Sequence, residues 1–379
     1  MNKHYFEPLT WLRAVAAFFV VISHSLRTSE IQYSPTDEAS HFLPLNLLDL
    51  GSFGVCLFFA LSGCTLFISS HEKINQFGDF FGFYIKRFMR IWPAFAISLF
   101  IYLVFIEIFR HFYTADKSFW IAQFLNEYSL QNVFQYLSLT FNIYGPRNLF
   151  SGPYWSLPVE FQYYLLLPFA LLLMKIRNFG FLSPLLFSAV LYFLFREPVF
   201  QWDRDEVFQM GFTFFGGVFL ANYHRSKTFR VPFWTSITLF LAVILFIGLV
   251  RTSIISIPKE IPFISNEWNL YGVVALTCVL LALFTRQPQK NNRFLNFVHK
   301  YGEISYSIYL FHMLFIGIAA LLVINFEIYG KHQKLFFVLL FSLIGSYIFS
   351  KYTYRYIEQP SIAFGRRLSN SKQKLNSDL

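Results

Sequence analysis

Residues 11–25 read WLRAVAAFFVVISHS, and this stretch decides the fold class. It is apolar enough to begin a membrane-spanning helix, yet it contains two ionisable side chains, Arg13 and His24. An α-helix turns by about 100° per residue, so the steps from Arg13 to His24 add up to about three full turns. Both side chains are therefore expected on one helix face, about 16 Å apart along the axis.

An ionisable side chain within the bilayer is costly and normally faces the bundle interior or a water-filled cavity. Two such residues on one face, Arg13 and His24, predict a functional site inside the membrane region. The alternative is that the two side chains extend to the two membrane surfaces, where each is merely solvated.

The composition is typical of a polytopic membrane protein. Of the 379 residues, 55% are hydrophobic, 52 are Phe and only 14% are charged. A soluble domain could not bury so many apolar side chains. The three cysteines, Cys56, Cys64 and Cys278, all lie in predicted membrane helices, so neither a disulfide framework nor a thiolate metal site is expected. The first apolar run lacks a small-residue cleavage site, so no removable signal peptide is expected.

Hydropathy predicts an all-α bundle of about ten transmembrane helices. The longest connection, 110–154, contains a half-apolar segment, Asn132 to Tyr144, that is expected to be re-entrant or interfacial. One membrane-embedded domain is expected over residues 1–363, followed by a basic, disordered cytoplasmic tail over residues 364–379. The predicted spans are residues 9–27, 51–70, 91–109, 155–174, 181–196, 207–223, 233–250, 268–285, 304–325 and 335–352.

The lysine and arginine residues predict the orientation of this bundle. The two termini and the connections on their side carry 20 of these residues, whereas the connections on the other side carry 10. Because positive residues concentrate on the cytoplasmic side, both termini are predicted in the cytoplasm. The net charge of +10 is then explained by topology and by contact with anionic lipids, so nucleic acid is not expected as a partner.

A basic cluster precedes the third predicted span in the segment FYIKRFMRIWP, residues 83–93. It contains Lys86, Arg87 and Arg90, and the two arginines lie on neighbouring faces of a helix end. The ordinary interpretation is a cytoplasmic anchor. The alternative is a clamp for phosphate groups, because the guanidinium fork matches phosphate oxygens.

The fourth predicted span opens with YWSLPVEFQYYLLLP, residues 154–168, and carries Glu160. Glu160 is expected at roughly the depth of His24, because the first span runs outward and the fourth runs inward. A carboxylate beside a histidine orients the ring, raises its basicity or stabilises its charged form. The alternative is a water-exposed carboxylate at the membrane surface.

The ninth predicted span begins with ISYSIYLFHM, residues 304–313. Ser305, Tyr309 and His312 share one helical stripe there, with His312 in the middle of the span. A structural hydrogen bond and a catalytic role are both open for His312. Glu358, in the segment YRYIEQP that follows the last span, is expected to pair with a nearby basic residue.

Small residues punctuate the second predicted span. Gly51, Gly54, Ser62 and Gly63 lie at spacings that let helices approach closely. Helix packing is therefore favoured over ligand contact for these positions.

In this order, these segments resemble the membrane acyltransferase family called acyltransferase type three. Arg13 with His24 is similar to its Arg-x10-His signature, and Arg87 with Arg90 to its Arg-x-x-Arg motif. The other similar segments are FGVCLFFALSG in the second span, WSLPVE at Glu160 and SYSIYLFH in the late histidine-bearing helix. Five motifs in the family's order, from the first span to the ninth, make the resemblance specific.

The resemblance implies transfer of an acyl group, usually acetyl from acetyl-CoA, to a sugar hydroxyl of a cell-envelope or exported glycan. Lipopolysaccharide and other polysaccharides are acceptors of this class. The protein would be a multi-pass protein of the bacterial inner membrane, without a metal. Its partners would be acyl-CoA, a glycan or lipid-linked saccharide, and membrane lipids.

The resemblance also implies roles for the residues singled out above. His24 would act as a general base on the acceptor hydroxyl or as a transient acyl carrier, and Glu160 would hold the ring or balance its charge. Arg13, Arg87 and Arg90 would bind the phosphates of CoA. Further candidates for the site are Lys86, Tyr309 and His312.

Other classes of protein fit part of the pattern. A transporter or flippase for a lipid-linked sugar would also line its path with Arg, His and Glu, and it would move its substrate without consuming acyl-CoA. A non-catalytic membrane partner would leave the cost of the ionisable residues unexplained. Among enzymes, a succinyl or longer acyl donor and an amine or lipid acceptor stay open, as does the oligomeric state.

Overall fold

A computed structural model describes the chain in nine ranges. The described residues are 7–29, 47–113, 123–146, 148–176, 180–195, 206–257, 266–286, 292–328 and 330–377. Within these ranges the chain is almost entirely helical, and its one pair of bridged extended residues is Val231 with Thr285. The expected all-α class is therefore confirmed.

We number the α-helices of the described ranges in chain order. Short 3-10 turns cover Gln123–Leu125, Gly152–Trp155 and Gly180–Leu182, and a π-helical segment covers Tyr354–Glu358. The helices are α1 Glu7–Thr28, α2 Gly51–Ser70, α3 Asp79–Phe112, α4 Leu130–Leu137, α5 Phe141–Tyr144, α6 Ser156–Leu173, α7 Ser183–Phe195, α8 Glu206–Arg225, α9 Phe233–Arg251, α10 Glu267–Phe284, α11 Arg293–Glu303, α12 Ser305–Asn325, α13 Lys331–Thr353 and α14 Gln359–Ser377.

Among the described residues, eight helical segments are long and apolar enough to cross a membrane. They are α1, α2, α3, the segment Gly152–Leu173, α9, α10, α12 and the segment Lys331–Asn370. The predicted spans 181–196 and 207–223 correspond to α7 and α8, which are not among the eight. The 13 residues of α7 extend only about 20 Å, less than the thickness of the bilayer core. A membrane helix bundle is confirmed, whereas the number ten and the side of each terminus stay predictions.

The chain divides into two compact units. Unit 1 comprises Met1–Val20, Tyr33–Asn75 and Leu166–Ser305, and unit 2 comprises Val21–Gln32, Gln76–Leu165 and Tyr306–Leu379. Both units contribute to the region 1–363, which the sequence predicts as one membrane domain.

Glycines bring the helices of unit 1 into backbone contact. A Cβ added at Gly63 of α2 would lie 1.9 Å from the carbonyl oxygen of Phe214 in α8, and one added at Gly217 would lie 2.1 Å from that of Ala60. A Cβ at Gly54 would lie 2.7 Å from the carbonyl oxygen of Ala16. Only glycine allows such close approach. The packing interpretation is therefore confirmed for Gly54 and Gly63.

The longest helix of unit 2, α3, positions the predicted basic cluster. Its 34 residues extend about 51 Å, well beyond the roughly 30 Å of a bilayer core. The helix begins at Asp79 and continues through Pro93, so residues 83–93 and the third span form one helix. Lys86, Arg87 and Arg90 are thus fixed relative to the span that follows them.

The prediction of a disordered tail is wrong for residues 364–377. They belong to α14, which packs against the beginning of α3. A Cβ added at Gly365 would lie 2.8 Å from the Cβ of Met89, and the hydroxyl of Ser369 would lie 2.6 Å from a Cβ added at Gly82. The small residues at 365 and 369 give the polar sequence one face that packs closely on α3. Residues 378 and 379 lie outside the described ranges.

The connection between α3 and α6 is described over residues 123–146 and 148–155, and these residues are folded. Its predicted re-entrant segment, Asn132 to Tyr144, includes most of α4, which begins at Leu130, and all of α5. The rings of Tyr136 and Phe141 stack with centroids 3.8 Å apart, and both residues are buried. The segment is therefore compact, and its depth in the membrane stays a prediction.

Candidate active site

The two histidines that the sequence singles out, His24 of α1 and His312 of α12, contact each other in unit 2. The Nδ1 atom of His24 and the Nε2 atom of His312 are 2.9 Å apart. The rings stack with centroids 5.1 Å apart and an angle of 21° between their planes. His312 is fully buried, whereas His24 is partly exposed. The pair therefore joins a fully buried histidine to a residue that is partly exposed.

The backbone of α12 fixes the ring of His312. Its Nδ1 atom is 3.1 Å from the carbonyl oxygen of Ile308 and 2.9 Å from that of Tyr309. A side chain bonded to the preceding turn of its own helix is held in one orientation. His312 consequently presents its other nitrogen, Nε2, to His24.

Tyr309 ties α12 to the beginning of α6. Its hydroxyl lies 2.7 Å from the carbonyl oxygen of Pro153 and 2.7 Å from the hydroxyl of Ser156. The carbonyl oxygen of Pro153 accepts from Tyr309, and the hydroxyl of Ser156 also lies 3.3 Å from it, so the three groups form one hydrogen-bonded cluster. Both side chains are buried, so these bonds hold in place the turn of α12 from which His312 projects.

Glu160 lies in α6 and is partly exposed. Its carboxylate accepts a hydrogen bond from the hydroxyl of Tyr164 and interacts electrostatically with Arg90 of α3. These partners place Glu160 with Tyr164 and Arg90, while His24 lies with His312. The role of Glu160 in holding His24 stays a prediction.

A second carboxylate, Glu358, also interacts with Arg90. Glu358 is 1% exposed and ends the π-helical segment between α13 and α14. Its Oε2 atom accepts a hydrogen bond of 3.0 Å from the hydroxyl of Ser307 in α12. A buried carboxylate requires a cation or donors to offset its charge. Arg90 is a cation whose charge acts on Glu358, and the expected pairing of Glu358 with a basic residue stays a prediction.

Lys86 and Arg87 are partly exposed in the same part of α3. The guanidinium carbon of Arg87 lies 5.7 Å from the centroid of the Phe83 ring, which is a cation–π contact. Lys86, Arg87 and Arg90 therefore share one helical segment and are held at fixed spacing. Their role in binding an acyl donor stays a prediction.

Arg13 belongs to unit 1. Its Nη2 atom donates a hydrogen bond of 2.8 Å to the hydroxyl of Thr65 in α2, and Thr65 donates at 2.7 Å to the carbonyl oxygen of Leu61. Arg13 thus has a polar partner on a neighbouring candidate membrane helix, as expected for an ionisable residue within a span. Its role in binding the acyl donor also stays a prediction.

Sequence reasoning identified His24 and His312 separately but missed their contact. It also missed Tyr164 and Ser307 as partners of the two carboxylates. The sequence signal available was the run of polar side chains in SYSIYLFH, which places Ser307 and His312 within two turns of one helix. Among the described residues, no three His, Cys, Asp or Glu side chains are grouped so that they could hold a metal ion.

This arrangement is suited to proton transfer and to the binding of anionic groups. An accessible imidazole that is bonded to a second imidazole can take up and return a proton, or it can carry an acyl group. The guanidinium and ammonium groups on α3 suit phosphate oxygens.

Comparison with known proteins identifies the family. The sequence model of an acyltransferase domain, acyltransferase 3, matches residues 7–351, a range that includes every predicted site residue. The protein named "Putative acetyltransferase ORF330" of Acidianus two-tailed virus is 24% identical over 319 residues, which cover 83% of this chain and 84% of the viral protein. No solved structure matches the chain. Because the family match extends over nearly the whole chain, the protein belongs to the acyltransferase 3 family.

Proposed function

We propose that the chain moves an acyl group, acetyl in the simplest case, from acyl-CoA to a hydroxyl of an extracytoplasmic or lipid-linked glycan. Family membership supports acyl transfer as the class of reaction. The observation that carries the choice of reacting residue is the contact between His24 and His312. Through this contact, His24, a partly exposed residue of the candidate membrane helix α1, has a hydrogen-bond partner for its ring. Such a partner suits a general base.

In the proposed reaction His24 removes the proton of the acceptor hydroxyl while the oxygen attacks the thioester carbonyl. The new C–O bond forms, the C–S bond breaks, and the departing thiolate takes the proton back from His24. An alcohol and a thioester thus become an ester and a thiol. In the alternative path, the acyl group passes first to a ring nitrogen of His24 and then to the hydroxyl.

The basic segment of α3 is the proposed contact for the donor. CoA carries several phosphates, and arginine binds phosphate oxygens through paired hydrogen bonds. Arg87 and Arg90 would bind these groups, with Lys86 beside them. A role of Arg13, which belongs to unit 1, in binding the donor stays a prediction of its own. The long, thin pantetheine arm would extend between helices toward His24. This arrangement fits a protein of the cytoplasmic membrane with its donor in the cytosol.

Mass spectrometry of the envelope glycans tests this proposal. Cells that lack the chain should lose one acetyl mass from each modified sugar, and cells that carry His24→Ala should show the same loss. The matched control is His332→Ala, because His332 is an exposed histidine of α13. A mass difference equal to a succinyl group would identify succinyl-CoA, instead of acetyl-CoA, as the donor. Unchanged glycans together with an accumulated lipid-linked saccharide would contradict acyl transfer and support a transporter.

A further inference from the structure

We propose that His312 is a positioning residue that fixes the proton of His24 on Nδ1 and thereby keeps the lone pair on Nε2. The inference rests on the proposed function of His24 as the base, because it identifies the nitrogen that takes up the substrate proton. It follows from the hydrogen bonds of the two rings and from the burial of His312.

The backbone of α12 determines the tautomer of His312. The Nδ1 atom of this ring faces two carbonyl oxygens, those of Ile308 and Tyr309, at 3.1 and 2.9 Å. Carbonyl oxygens can only accept hydrogen bonds, so Nδ1 must carry a proton. A second proton on Nε2 would make the ring cationic, which full burial disfavours. His312 is therefore neutral, with its lone pair on Nε2.

The tautomer of His312 then determines that of His24. The Nε2 atom of His312 lies 2.9 Å from the Nδ1 atom of His24, and a lone pair on one side of this contact requires a proton on the other. His24 accordingly carries its proton on Nδ1. In the neutral ring the remaining nitrogen, Nε2, has the lone pair, and this is the basic atom.

The same hydrogen bond also stabilises His24 after it has taken up the substrate proton. The bond from Nδ1 to His312 then becomes charge-assisted, and such bonds are about twice as strong as neutral ones. His312 thus takes the part that a buried carboxylate plays in a Ser-His-Asp triad, without adding a negative charge. Among the described residues, the titratable and charged groups that act on His24 are His312 and Arg27, one turn further along α1. The positive charge of Arg27 opposes the charged form of His24, so the stabilisation comes from the hydrogen bond to His312.

Two substitutions at residue 312 separate this role from mere packing. His312→Gln places an amide oxygen near the position of Nε2 and can still accept the proton of His24, whereas His312→Leu cannot. We expect His312→Leu to lower kcat by at least about 100-fold with KM for acetyl-CoA unchanged. The kcat of His312→Gln should stay within about tenfold of the wild-type value.

The acid limb of the pH–rate profile should move to lower pH in His312→Leu, since the charged form of His24 has lost its hydrogen-bond acceptor. A His312→Leu protein with wild-type kcat would overturn the proposal.

Nitrogen-15 NMR of histidine-labelled protein tests the tautomer without any assay of activity. The signals of His24, assigned by their loss in His24→Ala, should report a protonated Nδ1 in the wild type and in His312→Gln. His312→Leu should show a mixture of both tautomers. A proton on Nε2 of His24 in the wild type, or the same tautomer in all three proteins, would refute the positioning role. If the NMR result refutes the positioning role of His312, the proposed acyl transfer by His24 is unaffected. If His24→Ala is fully active, the proposed function is refuted, but the measured tautomer of His24 is still valid.

Discussion

His24 and Arg90 show how the partners of a single residue define its chemistry. An isolated histidine in a membrane helix has an energetic cost with no evident purpose. The bond between Nδ1 of His24 and His312 would give the proposed base a defined basic atom. Arg90 similarly interacts with two carboxylates, Glu160 and Glu358, whose negative charges offset its own in unit 2.

Arg87→Ala should raise the KM for acetyl-CoA by roughly 10- to 100-fold and change the KM for the acceptor little. The physical reason is the loss of a charge-assisted hydrogen bond to phosphate, which contributes about 1.5–3 kcal/mol. Steady-state kinetics of the purified protein at varied donor and acceptor concentrations provide the measurement.

The matched control for this substitution is Arg110→Ala. Arg110 lies in the last turn of the same helix, α3, and pairs with Glu107. The substitution Arg110→Ala should leave the KM for acetyl-CoA unchanged. A rise in the acceptor KM alone on substitution of Arg87 would exclude the phosphate clamp.

The helix α12 connects the parts of the candidate site in unit 2. Ser307 bonds to Glu358, Tyr309 bonds to Ser156, and His312 bonds to His24. These three side chains lie within two turns of one helix, so the proposed base and the buried carboxylate Glu358 are held by one rigid element. In unit 1 the corresponding close packing depends on glycines of α2 and α8.

Gly63→Ala should destabilise unit 1. The new Cβ would lie 1.9 Å from the carbonyl oxygen of Phe214, so α2 and α8 must move apart and lose contacts. Overpacking of this kind costs about 1–3 kcal/mol, which a lower Tm of the detergent-solubilised protein would report.

Gly78→Ala is the control for this prediction. It precedes α3, and the nearest atom to its new Cβ would be 3.8 Å away. We expect its Tm to equal that of the wild type. Equal Tm values for Gly63→Ala and the wild type would show that the two helices do not depend on this contact.

Much of the molecule could be predicted from its sequence, because hydropathy and helical periodicity are local properties. The helices that carry Arg13, His24, Glu160 and His312 form as expected, and the family follows from their motifs. Periodicity assigns a residue to a face, however, and does not identify the side chain that faces it. The contact of His24 with His312 spans 288 residues of sequence and could not be derived in this way.

At the polar C-terminal segment, the sequence predicted disorder where the structure has a helix. Its composition is typical of a disordered tail, yet the segment forms the helix α14 as far as Ser377. Gly365 and Ser369 are one turn apart and pack on Met89 and Gly82 of α3. Tertiary packing thus stabilises a helix that its local composition does not favour.

The function assigned to the whole chain depends on His24 acting in acyl transfer. The most direct test is the rate of CoA release from acetyl-CoA by the purified protein with an acceptor alcohol, for the wild type and for His24→Ala at equal Tm. We predict a loss of at least about 100-fold for His24→Ala, because general-base assistance contributes rate factors of this size. CoA release by His24→Ala at a rate close to that of the wild type would contradict the assignment.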